Sequence, residues 1–152
     1  MSVNIYNETV KSKVFITKKI AGKAFDILKQ EVLKQDDLSG WITISEVEQS
    51  KNFTELMMAM RWIPEVNNDG DVISLVHDGF NIAEEELVFK TIAPFVKNNS
   101  FVEFEREGSF SDLRVRFDFM DGLVTQSVWN KIYNENTGQD EFIFNDVLTE
   151  IL

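Results

Sequence analysis

FVEFEREGSFSDLRVRFDFMDGLVTQSV, residues 101–128, is the stretch whose reading decides the fold. Within it Leu113, Val115, Phe117 and Phe119 alternate with Arg114, Arg116 and Asp118, the period of two expected of a strand with one buried face. Asp121-Gly122 follows at once, and a two-residue turn needing positive φ at both positions is the strongest short-range hairpin signal. Pairing Met120 with Leu123 places Phe119 opposite Val124 and Val115 opposite Val128, so the apolar faces coincide. Upstream, a four-residue loop over 108–111 sets Glu107 against Asp112, Glu105 against Arg114 and Glu103 against Arg116. The same register joins Val102 and Phe104 to Phe117 and Val115 on the other face. Each charge pair contributes about 0.2–1 kcal/mol. Residues 101–128 are therefore read as two successive hairpins.

Toward the C-terminus, residues 129–133 prolong the last strand and the Asn- and Gly-rich 134–140 form a turn. The tail 142–152 is read as a short strand to Phe144, then a helical turn capped by Asn145, with an apolar end that docks on the core or seeks a partner.

Toward the N-terminus, Asn81 and Glu84 to Glu86 open a helix over 82–93, with acids where the helix dipole favours them. That helix turns Leu87, Val88, Thr91 and Ile92 inward, and Pro94 ends or kinks it. Residues 62–66 and 72–77 flank Asn67-Asn68-Asp69-Gly70, a second hairpin signal. The expected register sets Val66 against Ile73 and Trp62 against His77, with Pro64 pushing its strand to an edge.

Asn52 and Glu55 cap a helix to Met60 whose Phe53, Leu56, Met57 and Met60 share a face; with Met58 and Ala59 it reads as buried. The β-branched residues 41–47 read as a strand, and 35–40 as the turn that stops the preceding helix. That helix, 18–34, carries Ile20, Ala21, Ala24, Phe25, Ile27, Leu28 and Val32 on a broad stripe. Lys19, Lys23, Lys29 and Lys34 lie largely on its other faces, a solvated face docking near the acidic body. Residues 14–16 are a short strand or the entry to that helix, and 1–13 a loose polar lead-in.

A helix followed by a hairpin thus occurs at 53–77 and again at 82–119, without a shared residue pattern. The fold class is α+β: a mostly antiparallel β-sheet built from successive hairpins with helices packed on one face.

With 152 residues, 43% of them hydrophobic and thirteen of them Phe, the chain is expected to form a single globular domain, 1–152. It has no cysteine, which excludes disulfides, thiolate metal sites and a cysteine nucleophile. No apolar leader or spanning segment stands out, so a cytoplasmic protein without membrane association is expected. The net charge of −11 is uneven: 1–34 carries seven Lys against three acids, and 35–152 eight basic residues against twenty-three acids. Such a body repels nucleic acid and attracts basic protein surfaces.

Phosphate-loop, dinucleotide, zinc-protease, nucleophile-elbow and EF-hand motifs are all missing from the sequence. The single histidine, His77, forms neither a metal site nor a triad by itself. Asp69, Asp71 and Asp78 could ligate a hard cation weakly, but turn chemistry accounts for the first two. No cofactor is expected.

The apolar run ending in residues 92–96, then 100–104, Gly108, residues 114–117 and Asp121-Gly122, resembles small acidic proteins of unassigned role from bacterial genomes, phages and mobile elements. The resemblance covers about a quarter of the chain and extends to Arg61-Trp62; Leu113-Arg114 stands where that pattern has Trp-Arg. It implies an α+β fold and a bacterial or phage setting.

The leading expectation is a non-enzymatic acidic interaction protein that binds and inhibits a basic, nucleic-acid-processing protein partner, as in toxin–immunity or phage anti-defence systems. It would make no direct contact with nucleic acid. Its candidate interaction residues are Glu103, Glu105 and Glu107, then Asp36, Asp37, Glu84, Glu85 and Glu86, with Arg114 and Arg116 neutralising the first two. The alternatives are a self-associating module, a homodimer included, built on the Pro64 edge or the C-terminal tail, and an enzyme using paired carboxylates.

Overall fold

Both hairpins of residues 101–128 are present in the expected register. In the computed structural model, which describes residues 6–79, 84–107 and 112–148, strands β4 (Ser100–Glu107), β5 (Leu113–Met120) and β6 (Leu123–Asn134) form an antiparallel meander. Met120 pairs with Leu123 and Val115 with Val128, and Asp121 and Gly122 take φ of 52° and 77°, as the tight turn requires. Glu105 faces Arg114 and Glu103 faces Arg116. The 108–111 loop lies outside the described residues.

Strand β7 (Gln139–Leu148) follows β6 and corrects the reading of the tail: pairing runs on to Leu148, with no helical turn at Asn145. The ladder absorbs Asn145 through a register shift, Trp129 pairing with Phe144 and Val128 with Asp146. Residues 149–152 lie outside the described residues.

A second correction concerns the lead-in. Tyr6–Lys13 is strand β1, antiparallel to β4, giving a five-stranded sheet of order β1-β4-β5-β6-β7. Its pattern hid it, because the residues it pairs with the core positions of β4 are the polar Asn7, Thr9 and Ser12. Those residues have partners on the second hairpin, β2 (Trp62–Val66) and β3 (Val72–His77): the Thr9 hydroxyl accepts from the His77 amide and the Ser12 hydroxyl from that of Leu75, each at 3.0 Å. Backbone bonds from Asn7 to Gly79, Val14 to Ile73 and Ile16 to Val72 complete the seam. The β2–β3 ladder is as expected at Trp62 and His77, but a bulge after Glu65 sets Val66 opposite Val72 instead of Ile73.

The helices are α1 (Lys18–Leu33), α2 (Ile44–Gln49), α3 (Phe53–Ala59) and α4 (Glu85–Ile92), the last running into a 3-10 turn at Ala93–Phe95 that contains Pro94. Helix α1 matches its stripe: Ala24, Leu28 and Val32 are buried. Asn52 caps α3 as expected, accepting from the Glu55 amide at 2.9 Å while its own amide donates to the Glu55 carboxylate.

Helix α2 replaces the strand expected over 41–47. Alternation would have put Thr43 and Ser45 between Trp41 and Val47; instead Thr43 precedes the helix, its carbonyl accepts from Glu46 and Val47, and only Ile42 and Val47 are buried. Asn81 and Ile82, the expected opening of α4, lie outside the described residues. That helix turns Val88, Phe89 and Ile92 inward, with Leu87 and Thr91 only half-buried.

Phe89 stands at the centre of the core, its ring 4.8–5.8 Å from those of Trp62, Phe117 and Phe119. Trp62 also meets His77 and Phe104 edge-on. One hydrophobic cluster spans the core face of the five-stranded sheet, the hairpin and the four helices. Among the described residues no helix is long and apolar enough to cross a membrane.

Candidate functional site

Charge is distributed differently on the two sides of the molecule. On the face of the five-stranded sheet away from the core, alternation brings together Glu8, Lys11, Lys13, Glu103, Glu105, Glu107, Arg114, Arg116, Asp118, Lys131 and Asp140, five basic residues against six acids. Most of these groups satisfy one another. Arg114 donates to Glu105 at 2.8 Å and stacks 4.1 Å from the Phe142 ring centre. Lys131 lies 3.4 Å from Glu105, 3.6 Å from Asp140 and 3.9 Å from Glu107. Burial opposes the charge on Lys131, but Glu105, Asp140 and Glu107 together outweigh it and raise its pKa. Arg116 departs from expectation: it turns along its own strand to Asp118 at 3.0 Å and lies 4.0 Å from the Phe101 ring centre. Of the three acids considered first, Glu105 is thus consumed by two cations and Glu107 borders one, while Glu103 sits half-buried in register with Lys11 and Arg116.

The other side contrasts with this. Residues 35–92, which hold α2, α3, the β2–β3 hairpin and α4, carry twelve acids against three basic residues. None of the ion pairs among the described residues reaches Asp36, Asp37, Glu46, Glu48, Glu55 or Glu86. Asp36 and Asp37 are exposed just after α1, and Glu84 accepts from the Ser39 amide at 2.7 Å. Between α2 and α3 runs a groove of about 440 Å3 lined by Glu46, Gln49, Ser50, Glu55, Met58 and Ala59. Met58, expected to be buried, is 52% exposed there. Lys29 of α1 does dock on this acidic body, its ammonium donating to the carbonyls of Glu48 and Ser50 at the C-terminal end of α2, each at 2.8 Å. The spacing Thr43-x-x-Glu46 was the available sign of α2, and with it of the groove.

Glu84, Glu85 and Glu86 line a second concavity of about 210 Å3 with Phe104, Arg106, Phe117 and Gln126. Glu85 is buried and bound by the Arg106 guanidinium, which also donates to Asn7 at 2.7 Å. Burial pulls the Arg106 pKa down to about 10, so it remains a cation at neutral pH.

His77 is sealed in the core with its Nδ1 accepting from the Gly79 amide at 2.9 Å and its Nε2 unpartnered. Burial is the main cause that lowers its pKa to about 4, against the pull of Asp78 and with help from Arg106 and Arg61. The ring is neutral at physiological pH. Asp69 and Asp71 serve the hairpin turn: their amides donate to the Asn67 side chain, and the Asp71 carboxylate accepts from the Lys18 amide at 2.8 Å. Asp78 pairs with Arg61 at 2.9 Å. No group of three or more metal-ligating side chains occurs among the described residues.

No family model, curated protein or solved structure matches this chain. The functional reading therefore rests on this geometry alone.

Proposed function

We propose that this chain is a non-enzymatic acidic binding protein that captures a basic protein partner through its α2–α3 side. It would act as an inhibitor of a nucleic-acid-processing protein of the toxin–immunity or phage anti-defence kind. The observation that supports the reading is the segregation of charge: four of the six acids on the sheet face, Glu105, Glu107, Asp118 and Asp140, pair with a cation of that face, whereas Asp36, Asp37, Glu46, Glu48, Glu55 and Glu86, within a segment 35–92 of twelve acids and three basic residues, are in none of the ion pairs among the described residues. Unneutralised acids produce a long-range field that speeds encounter with a basic surface. The groove adds what a field cannot, an apolar contact at Met58 in a concavity that Glu46 and Glu55 also line, suited to a Lys or Arg side chain whose stem packs while its head is paired. Placing the contact here moves the emphasis from Glu103 and Glu105 to Glu46 and Glu55.

The test is affinity capture from host lysate at low and then high salt, with wild type, Glu46→Lys/Glu55→Lys and Glu103→Lys as baits. A stoichiometric basic protein, released by salt, lost with the double variant and kept by Glu103→Lys, is the expected result. Recovery of bait alone, or a partner indifferent to the double variant, overturns the reading.

A further inference from the structure

The chain carries a net charge of −11, yet one of its cavities is bordered by two exposed lysines. That cavity, of about 280 Å3, lies where α1, the start of α3 and the turn end of the β2–β3 hairpin meet. Phe25, Phe53, Val66 and Val72 give it apolar walls, and the lysines are Lys18, which opens α1, and Lys51, just before α3. Its volume is at the small end for ligand pockets and admits an organic body of one or two rings.

Three observations set this cavity apart from a gap in packing. Its cations are uncommitted: none of the ion pairs among the described residues involves Lys18 or Lys51. The neighbouring carboxylates of Asp71 and Glu55 are engaged instead by the Lys18 amide and the Asn52 side chain. Lys18 is also held in place. Its stem lies over Gly70, at φ 85°, where a Cβ would come within 2.7 Å of the Lys18 Cδ. Lastly, Gly22 shares the cavity-lining face of α1 with Lys18 and Phe25, although glycine weakens a helix interior relative to alanine. A Cβ at Gly22 would meet no atom within 4 Å, so the protein's own packing does not require glycine there. What the glycine leaves is open space on the cavity wall. Lys29 adds a third positive charge beside it, its ammonium 5.4 Å from the Phe25 ring centre.

We infer that this cavity binds a small organic anion, an apolar body of one or two rings that carries a carboxylate. The body packs on Gly22, Phe25 and Phe53, and the head is paired by Lys18 and Lys51. Charge and size together select that class. A cation is repelled by the lysines, and an uncharged body leaves them unused. The field of the acidic body is screened beyond about 8 Å at physiological ionic strength, so it turns away an extended polyanion while the local lysines decide for a small one. The site shares no lining residue with the α2–α3 groove and attracts the opposite charge, so either proposal can fail without the other.

Titration of the whole, isotope-labelled chain with naphthalene carboxylate, followed through its amide resonances, should saturate at a single site with the largest shifts at Gly22, Thr54 and Gly70. Naphthalene carboxamide, the same body without the charge, should bind about tenfold more weakly, and so should the carboxylate to Lys18→Gln/Lys51→Gln, which alters only exposed side chains. Acetate, the head without the body, should not saturate. Gly22→Leu places a side chain in the cavity and a strong helix former in α1, so binding should be lost while the urea midpoint holds or rises. Failure of naphthalene carboxylate to saturate overturns the inference. Equal affinity for the carboxamide, or undiminished binding by either variant, overturns it as well.

Discussion

The open face of the five-stranded sheet and the helical segment 35–92 are both rich in carboxylates, yet they dispose of them in opposite ways. On the sheet, alternation and register force acids and bases from neighbouring strands onto one surface, and Glu105 is held between Arg114 and Lys131. On α2 and α3, Glu46, Glu48 and Glu55 are exposed and take part in none of the ion pairs among the described residues, although the lysine-bearing α1 packs alongside. The same residue type is a structural component on one side and a source of field on the other. Position in the secondary structure decides which.

The strongest way to break this contrast lies where the two sides meet, at Glu85 of the acidic segment and Arg106 of the sheet. Arg106→Ala leaves a buried carboxylate without its cation and should cost about 3 kcal/mol in urea unfolding. Arg106→Met with Glu85→Leu removes both charges and should recover most of that loss.

The next effect is on acid stability. His77 is held near pKa 4 in the folded chain against 6.5 in the unfolded one, so the unfolded state gains a proton first as pH falls. Stability from this site is complete above about pH 6.5 and is lost as pH drops through 4. The loss between pH 7 and 5 is about 2 kcal/mol, and His77→Gln should flatten that part of the unfolding profile.

Smaller still is the helix cap on the acidic side: Asn52→Ala should lower stability by about 1 kcal/mol, read as a shift in the urea midpoint. The smallest comparison is the most direct. Glu105→Gln should destabilise by roughly 0.5–1 kcal/mol because it strips partners from Arg114 and Lys131, whereas Glu46→Gln/Glu55→Gln should stay within about 0.5 kcal/mol of wild type. Equal losses from the two would show that the acids of the two faces do not differ.

The hairpins were legible because period-2 alternation, turn residues and charge register all agree between Val102 and Val128. Helices α1 and α3 were legible for the same kind of reason, a stripe and a cap. Strand β1 was not, since its inner-face residues are polar and their partners are amides of β3 far along the chain, a contact that local pattern cannot express. Helix α2 was misread because β-branched residues fit a strand by propensity, and Thr43 forms no side-chain cap that would mark the helix start. On α4 the expected stripe of Leu87, Val88, Thr91 and Ile92 was right at Val88 and Ile92 but left out Phe89, which is buried. Among the candidate acids, the register that predicted Glu105 opposite Arg114 already implied that this carboxylate was spoken for. Met58 and the α2–α3 groove depend on how two short helices meet, which the sequence states only indirectly.

The pairing of β1 with β4 has a consequence for the nascent chain. Strands β4 to β7 are consecutive hairpins and can zip locally, but β1 must wait until every helix and the β2–β3 hairpin have been synthesised before its partner exists. Its closure is therefore expected to be a late step in folding, limited by the search across that long loop. A waiting strand with an apolar inner face would be an aggregation hazard on the ribosome. Asn7, Thr9 and Ser12 let β1 wait in water and still lock two sheets together when it arrives.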